Sequence, residues 1–112
     1  MERTKDGILW QRIGPLPQQD TSHHVIQPSI LEHFDGRLQI LCRSKNNRIA
    51  QAWSKDQGLT WSPMTLTDLP NPNSGTDAVT ASNGKHYLLY NQTEKTAGEW
   101  GGPRSPLTLA ES

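Results

Sequence analysis

The side chains best suited to chemistry are two arginines, Arg43 and Arg104, which stand beside polar loops. A guanidinium is a planar fork that matches the two oxygens of a carboxylate, so either arginine is a candidate for anion binding. A surface salt bridge or the ordering of a loop is the alternative for both. His23 and His24 would point to opposite sides of an extended chain, and a metal pair needs another spacing and more ligands. We expect no metal and no cofactor, and for the histidines both surface hydrogen bonding and ligand contact stay open.

The composition limits the classes of partner. The chain has 112 residues, of which 32% are hydrophobic, and Lys+Arg and Asp+Glu are both 11. A balanced charge argues against nucleic acid or an anionic membrane as the main partner, and no apolar run has membrane length. Cys42 is the only cysteine and is expected to be a buried strand thiol. Residues 1–6 lead into no apolar leader segment, so we expect a cytoplasmic form or a piece of a longer chain.

The stretch from Ser54 to Trp61 reads S-x-D-x-G-x-T-W and predicts a tight turn between two strands. Asp56 can accept a bond from the backbone two residues on, and Gly58 can take a positive φ. The Ser54 hydroxyl can reach Asp56 or a turn amide. Trp61 would begin the next strand with a large ring to bury.

Turn residues about every ten positions divide the rest of the chain into short strands. The predicted strands are 8–13, 25–32, 37–43, 48–54, 60–66, 75–82, 85–91 and 106–112. The pattern restarts after 67–73. The turn residues Asn83-Gly84 correspond to Asp35-Gly36, 48 positions earlier. Such a period is typical of propeller blades.

The ends of the sequence look like two halves of a second turn. Asp6-Gly7 and Trp10 match the second half of the Ser54–Trp61 stretch, although one turn residue and the preceding strand are missing. Ala110 and Ser112 match the residues that lead into that stretch.

This turn resembles the Asp-box, or bacterial-neuraminidase repeat, of sialidase-like β-propellers. The resemblance implies structural roles for Ser54, Asp56, Gly58 and Trp61, and for Asp6 and Trp10 in the partial copy. It also implies that these turns lie away from the ligand face. The stretches 26–29, 69–79, 90–91 and 101–112 are similar to uncharacterised sialidase-like proteins of the same repeat family.

The fold that follows is all-β, with two four-stranded antiparallel blades. We expect blade 1 at about 22–68, and blade 2 at about 72–112, completed by strand 4–14 of a neighbouring chain. Two blades leave a sheet face bare, and the resemblance to sialidases implies six blades, so three copies would close the ring as a homotrimer. The alternative is a fragment of a longer propeller.

The resemblance also suggests site residues, because loops at 15–29, 43–48, 69–77 and 90–106 would surround the ligand mouth. Asp77 would be the catalytic acid/base and Tyr90 the nucleophile, with an Asx turn and packing in the blade as their alternatives. The expected substrate-binding residues are Arg43, Arg104, Gln27, His24, Asn73 and Trp100. Trp100 would stack on a sugar or seal a blade interface.

Three functions follow from this resemblance. One is an exo-sialidase-like glycoside hydrolase that acts on terminal sugars of glycans. Another is glycan binding without chemistry. The last is a self-assembling structural unit.

Overall fold

The computed structural model describes residues 2–12, 24–94 and 105–112. Within these ranges the chain forms strands and turns and no helix, which confirms the all-β prediction. The strands are β1 Glu2–Thr4, β2 Trp10–Arg12, β3 Val25–Glu32, β4 Leu38–Ser44, β5 Arg48–Ser54, β6 Thr65–Pro70, β7 Asp77–Thr80, β8 His86–Asn91 and β9 Leu107–Glu111. They make three antiparallel sheets, in the orders β1-β2, β3-β4-β5-β6 and β7-β8-β9.

The four-stranded sheet carries apolar side chains on both faces, as the continuous apolar run of β4 predicts. On one face Ile40, Cys42 and Ala50 are buried together with Trp61. On the other face Leu41 belongs to a second cluster, shared with the next sheet. Cys42 is thus the buried strand thiol that its apolar neighbours suggested, and burial raises its pKa to about 11.

The three-stranded sheet packs against this second face. Leu88 and Tyr90 join the apolar cluster from β8. Between β3 and β7, the Glu32 amide donates to Thr80 Oγ1 at 3.0 Å. These two residues are 48 positions apart, the displacement of the predicted repeat. Residues one repeat apart therefore lie side by side.

The opposite face of the three-stranded sheet is apolar and exposed. Leu89 pairs with Leu109 across β8 and β9, and directly opposite residues share a face. Val79, Leu89, Leu107 and Leu109 are all exposed there. Among the described residues no strand pairs with the free edge of β9.

Two boundaries differ from the prediction. A strand does precede the N-terminal turn, because β1 pairs with β2 through Thr4 and Trp10. β6 begins at Thr65 and not at Thr60, because Asp56 holds Thr60 in the turn and the Ser62 amide donates to Trp53 O at 2.7 Å. It continues to Pro70, into the stretch 67–73 after which the sequence pattern restarts.

No helix in the described ranges is long and apolar enough to cross a membrane.

Candidate functional site

The Ser54–Trp61 turn is built from its own side chains. Ser54 Oγ donates to Asp56 Oδ1 at 2.8 Å and accepts from the Gly58 amide at 2.9 Å. Asp56 accepts from the Thr60 amide at 2.8 Å and from the Thr60 hydroxyl, and these bonds lower its pKa to about 2. Gly58 has a φ of 86°, and its carbonyl accepts from Trp61 Nε1 at 3.0 Å. These contacts satisfy the turn internally, which indicates a structural role.

The N-terminal turn repeats this chemistry in a shorter form. Thr4 Oγ1 takes the place of the serine and accepts from the Gly7 amide at 2.9 Å. Asp6 Oδ1 accepts from the amides of Ile8 and Leu9 at 2.8 and 2.9 Å, which lowers its pKa. Unlike Trp61, which is 9% exposed, Trp10 is 63% exposed.

A second polar cluster forms around Arg43 on β4. Its Nε donates to Asn73 Oδ1 at 3.1 Å and its Nη1 donates to Gln27 Oε1 at 3.1 Å. Within the described chain no carboxylate forms an ion pair with Arg43. Among the described residues, neutral side-chain oxygens therefore hold the guanidinium in place.

The backbone that positions this cluster takes a left-handed conformation at two residues. Gln27 and Asn73 both have a φ of 56°, which non-glycine residues seldom adopt. A bulge between Ile26 and Ser29 shifts the register of β3 and turns Gln27 towards Arg43. Gln57 in the Ser54–Trp61 turn has a similar φ of 61°, so this conformation alone does not distinguish a binding site from a structural turn.

The turn that carries Asn73 is buried in spite of its polar composition. Asn71, Asn73 and Ser74 are each at most 2% exposed. The Asn71 amide donates to Asn47 O at 3.0 Å, and its side chain donates to Ser74 O at 3.1 Å. This stretch belongs to the 69–77 loop that was expected at the ligand mouth, and its run of Pro and Asn is a usable sign of a tight, rigid turn.

An open pocket of about 380 Å³ adjoins the Arg43 cluster. It is lined by Gln27, Pro28, Ser29, Gly75, Thr76, Asp77, Leu89 and Leu107. Asp77 is exposed in this pocket, and its Oδ1 accepts from Ser29 Oγ at 3.3 Å. Thr76 was not singled out in the sequence, yet its buried Oγ1 has no hydrogen-bond partner among the described residues. The pocket thus combines a carboxylate, hydroxyls and apolar walls.

Of the remaining predicted site residues, two lie away from this pocket and three fall outside the described ranges. Tyr90 is 3% exposed and packs in the cluster between the sheets. His24 is exposed at the start of β3, where its carbonyl accepts from the Lys45 amide at 3.2 Å. Trp100 and Arg104 lie outside the described residues, as does His23. The roles suggested for all five stay predictions.

A pair of histidines lies on the other end of the sheets, and nothing in the sequence pattern indicated it. The rings of His33 and His86 have centroids 4.3 Å apart. Burial and the neighbouring His33 lower the pKa of His86. In the part of the chain that the structure describes, no three His, Cys, Asp or Glu residues form a group that could hold a metal ion.

Comparison with solved structures supports the fold. A protein of unknown function from Dyadobacter fermentans superposes with a TM-score of 0.66 at 18% identity, over 80% of this chain and 24% of that one. The K499G mutant of NanB sialidase from Streptococcus pneumoniae gives 0.63 at 20% identity, over 83% and 15%. The chain therefore spans a quarter or less of either structure, and identities this low show the fold alone. The comparison with curated proteins gave no match.

The family model of the BNR repeat-like domain matches residues 2–112, nearly the whole chain. Together with the Ser-Asp turn and the antiparallel sheets stacked one repeat apart, this match shows that the chain belongs to the BNR repeat-like family and has a sialidase-like fold.

Proposed function

We propose that the Arg43 cluster binds the carboxylate of an acidic sugar at the end of a glycan. The observation that carries this proposal is the guanidinium held by Gln27 and Asn73 without a carboxylate partner among the described residues. Two of its five N–H groups are used by these bonds, so donors remain for a planar anion. The adjoining pocket of about 380 Å³ falls in the size range of small-molecule sites.

Arg43→Gln tests this function. The substitution removes the charge and should weaken binding of a sialic-acid-terminated oligosaccharide by about tenfold or more, the loss expected for a charge-assisted hydrogen bond. Arg37→Gln is the matched control, because Arg37 stands just before β4 and lies about 20 Å from Arg43 along the strand. Isothermal titration calorimetry with the acidic oligosaccharide and its neutral counterpart measures both. Equal binding of the two sugars, or an unchanged affinity in Arg43→Gln, contradicts the proposal.

Glycoside hydrolysis is the second candidate, and Asp77 favours it. Its exposed carboxylate lines the pocket beside the Arg43 cluster and accepts a bond from Ser29. A carboxylic acid in this position can protonate the leaving oxygen of a glycosidic bond. Release of the aryl group from an activated sialoside measures the activity, which Asp77→Asn should abolish while sugar binding persists. No turnover by the wild type would leave binding without chemistry as the function.

Assembly into a ring is a further part of the proposal. We propose that the four-stranded sheet is one blade and the three-stranded sheet another, and that three copies form six blades. The exposed face of Val79, Leu89, Leu107 and Leu109 and the free edge of β9 support it, since both need a cover. Light scattering after size exclusion should give the mass of three chains. A folded monomer contradicts the ring.

A further inference from the structure

The surroundings of Trp61 show which residues of a sheet contact the tryptophan of an Asp-box turn. The indole lies in a cluster with Ile40 and Ala52, which pair directly across β4 and β5. Leu38 packs against the same cluster from the start of β4. These three residues therefore mark the place of the ring on the four-stranded sheet.

The three-stranded sheet has residues equivalent to these three, but no tryptophan of the described residues packs on them. Leu88 pairs with Ala110 as Ile40 pairs with Ala52, and His86 stands where Leu38 stands. Leu88, Ala110 and His86 all line an open pocket of about 280 Å³ between the sheets. Its other wall is formed by side chains of the four-stranded sheet: Leu31, Gln39, Leu41, Thr67 and Leu69.

We infer that this pocket receives Trp10 from a second copy of the chain, with β2 added to the free edge of β9. The inference rests on the proposed assembly and specifies the contact between two copies of the chain. Trp10 follows a Thr-Asp turn that repeats the bonds of the Ser-Asp turn before Trp61, yet its ring is 63% exposed in its own copy. Within that copy, Arg3 Nη1 donates to Gln57 O at 2.9 Å, which attaches the β1-β2 hairpin to the turn of the four-stranded sheet.

Insertion requires an exchange of strand partners. β2 pairs with β1 over only three residue pairs, from Glu2↔Arg12 to Thr4↔Trp10. An isolated two-stranded hairpin is marginally stable in water, so β2 can leave β1 at little cost. Addition to β9 then satisfies an exposed backbone edge and buries the ring, and both changes favour association.

Four variants compared by sedimentation equilibrium test this contact. Trp10→Ala should weaken self-association about 30-fold, as expected for a buried aromatic anchor. Trp10→Phe should retain most of the affinity, because a phenyl ring still fills the pocket. Ile8→Ala is the matched control, since Ile8 is exposed in the same hairpin and should have no effect. Ala110→Trp should weaken association by filling the pocket from its own wall.

The outcomes separate this inference from the assembly itself. If the wild type stays monomeric at every concentration, the ring and the contact are both wrong. If it assembles and Trp10→Ala behaves like Ile8→Ala, only the contact is wrong. Arg43→Gln should leave the association constant unchanged, because Arg43 lines neither the pocket nor the hairpin.

Discussion

At the scale of single residues, Asp56 and Arg43 differ in the groups that form hydrogen bonds with their charged side chains. The carboxylate of Asp56 accepts bonds from the amide and hydroxyl of Thr60 and from Ser54, all inside one turn. Arg43 donates hydrogen bonds to neutral side-chain oxygens of Gln27 and Asn73. A charge that local donors satisfy stabilises a turn, whereas a positioned charge with no counter-ion in the described part of the chain suits a ligand. The two residues thus mark the structural and the candidate binding ends of the sheet.

Asp56→Asn should lower the thermal unfolding midpoint by a few degrees, because the amide replaces an ionised acceptor. The folded-state pKa of Asp56 is lowered to about 2, so its contribution is complete above about pH 4 and is lost as the pH falls towards 2. The difference in midpoint between wild type and variant should therefore shrink over that range. Scanning calorimetry measures it, with Asp68→Asn, an exposed aspartate of β6, as the control. A difference that is constant with pH contradicts the role of the ionised form.

At the scale of elements, the turns before β4 and β8 meet through an aromatic cluster. His33 lies 4.3 Å from His86 and 4.8 Å from Trp53, measured between ring centroids. His33 Nε2 also bonds to Gln39 Oε1 at 3.0 Å, and Thr80 Oγ1 bonds to His86 Nδ1 at 2.9 Å. The two sheets are thus joined at this end through the imidazoles of His33 and His86, which makes the contact sensitive to protonation of His86.

Acidification should loosen this junction. The pKa of His86 is lowered by burial and by His33, so folding favours the neutral ring, and stability falls as the pH drops below about 6.5. His86→Leu introduces the residue found at the equivalent Leu38 and should reduce the loss of thermal stability between pH 7.5 and 5. His24→Leu, at an exposed position, is the control. If wild type and His86→Leu lose stability equally, the junction does not sense pH.

At the scale of the whole molecule, the apolar area is divided unevenly between covered and open faces. One cluster lies between the two larger sheets and another covers the far side of the four-stranded sheet. The outer side of the three-stranded sheet exposes leucines instead, with Leu107 68% and Leu109 64% accessible. Contiguous exposed apolar area of this kind indicates an interaction surface. A single exposed leucine, such as Leu59 in the Ser54–Trp61 turn, carries no such meaning.

Leu109→Glu should therefore reduce self-association and the binding of a hydrophobic dye, because it places a charge on the open face beside the free edge of β9. Leu59→Glu makes the same change at an isolated leucine and should alter neither. Dye fluorescence and light scattering on the two variants measure the effects. Equal behaviour of the two variants would show that the open face takes no part in association.

Much of the fold follows from local chemistry. The Ser54–Trp61 turn could be predicted because a few neighbouring residues supply every bond that closes it. The strands from β3 to β5 could be predicted because turn residues bound short apolar runs. The start of β6 could not, since it depends on the bond from the Ser62 amide to the carbonyl of Trp53 on the preceding strand.

The sequence by itself determined the repeat, the turns and the family resemblance, because these depend on residues close together in the chain. Only the tertiary structure decided which long-range neighbours meet. It joined Arg43 to Gln27 and Asn73, 16 and 30 positions away, and it brought the His33 ring to His86. It also placed Tyr90 between the sheets. Such contacts depend on the register in which the strands pair and on the face to which each side chain points. A slip of one residue in the register would move every side chain of a strand to the opposite face of the sheet.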